Sequence, residues 1–78
     1  MLSPAPLPQL NARFLAEARR HVLEAEPRLA RQRALVDRLH ECGADATLAE
    51  SLLLQMNQTM RCFVEHLDRL TAEAAESR

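Results

Sequence analysis

Residues Ala49 to Ala74 read AESLLLQMNQTMRCFVEHLDRLTAEA, with apolar members at Ala49, Leu53, Met56, Met60, Phe63, Leu67, Leu70 and Ala74. The steps between them alternate four and three. This keeps all eight on one side of an α-helix, as in the seam by which helices pack against helices. Toward the N-terminus a second stripe of the same period runs through Leu15, Ala18, Val22, Ala25, Leu29, Gln32, Val36 and Leu39, with Phe14 and Leu35 beside it. The two stripes are equally long, so each is a natural partner for the other.

The segment between them carries the punctuation. Gly43, the only glycine of the chain, suits the left-handed position that follows a helix C-terminus. Thr47-Leu48-Ala49-Glu50 matches the capping box S/T-x-x-E, with Asp45 as the alternative cap. A connection of roughly residues 43–46 is short enough to force the helices antiparallel. The expectation is an all-α antiparallel two-helix hairpin, helix 1 over about residues 10–42 and helix 2 over about residues 47–75. Pro8 or Asn11 would open helix 1, with Leu10 and Leu15 as a hydrophobic staple. Residues 1–8, MLSPAPLP, form a Pro-rich arm expected to be extended or disordered, and residues 9–78 form the hairpin domain.

Pro27 falls inside helix 1. An internal proline removes one hydrogen bond and costs on the order of 3 kcal/mol. It lies opposite the stripe, where a kink is best tolerated, and no Gly, Asn or Ser precedes it to make a turn. One helix kinked near Pro27 is therefore expected rather than two helices.

Composition agrees with helices. Hydrophobic residues make up 47% of the chain, yet Trp and Tyr are absent and Phe occurs twice. The core vocabulary is thus Leu, Ala, Val and Met, and β-branched residues are too few for strands. A net charge of −1 offers no general attraction to nucleic acid or acidic lipid. No apolar run approaches the roughly 18 residues of a membrane span. The N-terminus has no basic region, and Pro4, Pro6 and Pro8 interrupt any signal core, so a cytoplasmic location is expected. With 78 residues a single core supplies only about 3–5 kcal/mol, and such chains commonly need a disulfide, a metal or a partner.

The need for a partner is visible in the flanks. Leu48, Leu52 and Val64, with Phe14 and Leu35, lie beside the stripes and would face water in a lone hairpin. A homodimer of two hairpins, forming a four-helix bundle, covers them economically; a helix of another protein is the alternative occupant. The residues expected to carry the interaction seam are Leu29, Val36, Leu53, Met56, Met60, Phe63 and Leu67, with Leu35, Leu52 and Val64 closing the dimer. Residues 9–42 hold seven Arg against five acids, and residues 43–78 three Arg against six acids. This difference favours pairing helix 1 with helix 2. Gln32, on the stripe, would specify register as a buried amide does in coiled coils.

From His21 to Leu70 the chain resembles a group of small proteobacterial helical-hairpin proteins. The shared pattern is H-x-x-E-G-E, then R-Q-R-x-L-[IV]-x-x-L, then G-x-[DP]-T-x-x-A-x-x-L-L, and a late H-x-x-[RL]-L. Here these pieces fall at His21 to Glu26, Arg31 to Leu39, Gly43 to Leu53 and His66 to Leu70. The chain departs from the pattern at Ala25, where Gly is usual, at Pro27, where a polar helix former is usual, and at Ala46, where the pattern has Thr. The resemblance implies a bacterial hairpin protein and carries no established activity with it.

Residues able to do chemistry do not assemble into a motif. His21, His40 and His66 lack the H-E-x-x-H arrangement of a metal site and read as surface or seam-edge histidines. His40-Glu41 is similar to the His-acid dipeptide of sensor-kinase hairpins, but the helix ends two residues later, against phosphotransfer. Cys42 and Cys62 sit roughly 20 Å apart along a hairpin, beyond the reach of about 7 Å for a disulfide, and are expected as buried or half-buried thiols. Arg28, Arg31 and Arg38 make helix 1 locally basic and are the possible contacts for phosphates, though an acidic second helix argues against DNA binding. No Gly-rich phosphate loop, nucleophile elbow or pocketed carboxylate pair occurs. The expectation is a non-catalytic interaction or small regulatory module without cofactor. A nucleic-acid-binding or signalling regulator using the arginine face is the alternative.

Overall fold

The computed structural model describes residues 8–76, with side-chain burial given for residues 12–76. Two helices, α1 (Pro8–Glu41) and α2 (Thr47–Glu76), pack along their length as an antiparallel hairpin. The arm expected at residues 1–8 lies outside the described residues except for Pro8, which is the first residue of α1. The helix therefore opens at the proline rather than at Asn11. Proline is preorganised for that place, because its fixed φ is helical and its missing N–H would have no partner there.

Burial follows the three-four spacing. In α1 the residues less than exposed are Leu15, Ala18, Val22, Ala25, Leu29, Gln32, Leu35, Val36 and Leu39; in α2 they are Ala49, Leu53, Met56, Met60, Phe63, Leu67, Leu70 and Ala74. Pro27 stands inside an unbroken α1, exposed, on the side away from α2. The carbonyl it deprives of a donor belongs to Leu23, itself 65% exposed, so water can satisfy that group.

The connection is built from two caps. At the end of α1 the N–H of Gly43 donates to the His40 carbonyl at 3.1 Å, and that of Ala44 to the Leu39 carbonyl at 2.9 Å. With Gly43 at φ +69°, these two bonds form a Schellman motif. At the start of α2 the capping box read over Thr47–Glu50 does not form. The Thr47 N–H and hydroxyl both donate to Asp45 Oδ1, at 3.0 and 2.6 Å, and the Glu50 carboxylate pairs instead with His40. The Glu50 N–H that a capping Thr47 would accept from donates instead to the Ala46 carbonyl at 2.8 Å, and with Glu50 turned to His40 the Thr47 N–H is left to Asp45. Ala46 is buried beneath the connection.

Two helices enclose little. Among the described residues only Ala18, Val36 and Ala46 are buried, no side chain is fully buried, and α2 has no buried residue. The stripes meet, but each is open at its margins.

Candidate interaction surface

The margins differ in chemistry. With heptad position a at Leu15, Val22, Leu29 and Val36 of α1 and at Leu53, Met60, Leu67 and Ala74 of α2, the remaining stripe residues occupy d. In an antiparallel pair, positions g of both helices line one edge of the seam and positions e the other. The contacts confirm this. His40 and Glu50, both at e, are hydrogen-bonded across one edge, while Phe14, His21 and His66, all at g, line a common groove on the other.

The e edge is polar. It carries Ala12, Arg19, Glu26, Arg33 and His40 on α1 and Glu50, Asn57, Val64 and Thr71 on α2. The His40–Glu50 pair also suits the local dipoles, with a basic group at the C-terminus of α1 and an acid at the N-terminus of α2. Both side chains are more than half exposed, so solvent screens the pair.

The g edge is more apolar and hollow. Phe14, His21, Arg28, Leu35 and Cys42 face Leu52, Thr59, His66 and Glu73 along it, and two grooves open there. The first, of about 320 Å³, lies between Arg28 and Leu29 on one side and Leu52, Met56 and Thr59 on the other. The second, of about 340 Å³, lies among Phe14, Glu17, His21, His66 and Leu70. No e-edge residue lines either. The His21 ring packs on Phe63, centroids 5.4 Å apart and tilted by 38°, which leaves Phe63 half covered. Phe14 and Leu52 are 48% and 47% exposed.

Three residues read together as a dimer flank therefore separate: Leu35 and Leu52 lie on the g edge and Val64 on the e edge. Leu35 and Leu52 each precede a stripe residue at position a, whereas Val64 follows one at d, and this offset decides the edge. Leu29, Met56, Met60 and Phe63 contribute to the wall of the first groove, while Val36, Leu53 and Leu67 lie elsewhere on the stripes.

Arg28 lines a groove, and Arg31 and Arg38 stand exposed further along α1. Both cysteines are free and exposed, not buried as expected. Cys62 stands one residue off the stripe, and Cys42 directly follows α1 at the connection. Among the described residues no three His, Cys, Asp or Glu side chains come together as a metal site, and no helix is long and apolar enough to cross a membrane. The Thr47 hydroxyl and N–H hold the Asp45 carboxyl below its usual range.

No protein-family model, curated protein or solved structure matches this chain.

Proposed function

We propose that this hairpin is a non-catalytic interaction module that acts by pairing with a second copy of itself to form a four-helix bundle. The observation that carries this is the state of α2, a 30-residue amphipathic helix with no buried residue. Its stripe meets α1 along the whole hairpin yet remains half covered, so one more layer of helices is missing.

The first groove is lined mostly by apolar side chains, and the second adds Glu17, His21 and His66 without a Ser, Thr or Cys nucleophile beside them, which favours binding over catalysis. The test is the pair Leu35→Glu and Leu52→Glu, made together. The reading expects the unaltered chain to sediment as two chains and the variant as one, with lower helicity. A variant that sediments like the unaltered dimer contradicts it.

A further inference from the structure

We infer that the second copy packs on the g edge with α1 antiparallel to the partner's α1, about a two-fold axis that crosses the helices near Arg28. The inference rests on the homodimer reading and adds to it a face, a direction and a register.

The face follows from the edges. A four-helix bundle turns one edge of each hairpin inward, and both grooves, together with Phe14, Leu35 and Leu52, lie on the g edge. The e edge carries charged or polar side chains at seven of its nine places, Ala12 and Val64 excepted, and burying it would strand them.

The direction follows from charge. Just outside the g edge, α1 presents Glu17, Glu24, Arg31 and Arg38 in one column at seven-residue spacing, all exposed. Two acids followed by two bases form a self-complementary pattern when two such columns run antiparallel. Glu17 then meets the partner's Arg38, and Glu24 the partner's Arg31, each pair occurring twice by symmetry. The one ion pair this column makes within the chain is Glu24 with Arg20, a 3.9 Å contact between side chains 55% and 61% exposed. That is too loose to hold Glu24 back. With α1 laid against the partner's α2 instead, the column would face Leu48, Gln55, Cys62 and Arg69, and only one such pairing would form.

The register follows from the same column and fits the grooves. An axis midway between Glu24 and Arg31 places the partner's Leu35 and Leu52 over the groove of Phe14, His21 and His66, so apolar knobs fill the apolar hole. Leu48, 86% exposed, comes over the partner's Leu70. The two Arg28 side chains approach at the axis, and each has a Glu24 of the other chain within its length.

Crosslinking tests the arrangement. In a chain carrying Cys42→Ser and Cys62→Ser, Arg28→Cys should form a covalent dimer with a mild oxidant or a short bis-maleimide, and Arg19→Cys on the e edge should not. Mass by light scattering is read on the same samples. A dimer that crosslinks through Arg19→Cys, or through neither, overturns the face and register while leaving the dimer reading intact; a monomer overturns both. A charge swap tests the direction independently. The Glu17→Arg, Glu24→Arg chain and the Arg31→Glu, Arg38→Glu chain should each dimerise about tenfold or more weakly alone, and a mixture should recover a heterodimer that crosslinks through Arg28→Cys. Undiminished self-association of either swapped chain overturns the antiparallel pairing.

Discussion

The Gln32 side-chain amide donates a hydrogen bond to the Ala49 carbonyl at 2.9 Å, linking the last third of α1 to the first turn of α2. It is the one polar side chain on either stripe, and it has found a backbone acceptor on the facing helix. An unpaired amide at a seam position is costly, so slipping the hairpin along its axis would break this bond and strand the amide. Register is thereby selected by a single donor. Replacing Gln32 with Leu should leave the melting temperature unchanged or raise it, because an apolar seam residue packs without desolvation cost. The variant should also populate more than one register, seen as extra amide signals in a ¹H–¹⁵N spectrum. A single sharp set of signals would remove Gln32 from that role.

Phe63 is the largest side chain of the α2 stripe, with His21 packed on its ring. It is half-buried rather than buried, so Phe63→Ala should cost about 3 kcal/mol, the lower end for truncating a packed phenylalanine. Chemical denaturation measures this directly. An unchanged midpoint would show that the stripe does not hold the hairpin together.

Pro27 offers a gain. Pro27→Ala restores the N–H that the Leu23 carbonyl lacks and adds a strong helix former at an exposed site. Stability should rise by on the order of 2–3 kcal/mol. A fall in melting temperature would mean that the proline shapes α1 in a way the packing requires.

Asp45 gives the connection a pH dependence of definite sign. Its carboxyl titrates below the usual range because the Thr47 hydroxyl and N–H bond the ionised form, the hydroxyl contributing most. A depressed folded-state value means the contribution is complete above the ordinary aspartate value of about 3.9 and is lost as pH falls through the lower folded value. Asp45→Ala should therefore lower the melting temperature at neutral pH, and the gap to the unaltered chain should close in acid. A gap that stays constant down to pH 2 would assign the effect to something other than ionisation.

The helices were legible because each stripe holds its period for eight residues with few competing signals, and Gly43 left one place for the turn. The start of α2 was less so. Asp45 and Thr47 both present caps within three residues, and which one acts depends on where Glu50 turns, which His40 on the other helix decides. The exposure of Cys42 and Cys62 was missed because cysteine is usually buried, while position on the helix governs here. Leu35, Leu52 and Val64 look alike as flanking apolar residues until helix direction assigns each to an edge. The column Glu17, Glu24, Arg31, Arg38 was present as a seven-residue repeat of charge, but it acquires a meaning only once the grooves show which edge is open.

The central claim is that one hairpin is half of a folded unit. Absolute mass by light scattering on a size-exclusion column, over a wide dilution series with helicity followed in parallel, tests it most directly. The account predicts a mass of two chains, with helicity falling only as the dimer dissociates. A fully helical monomer at every concentration would show that the hairpin is complete alone, and would contradict it.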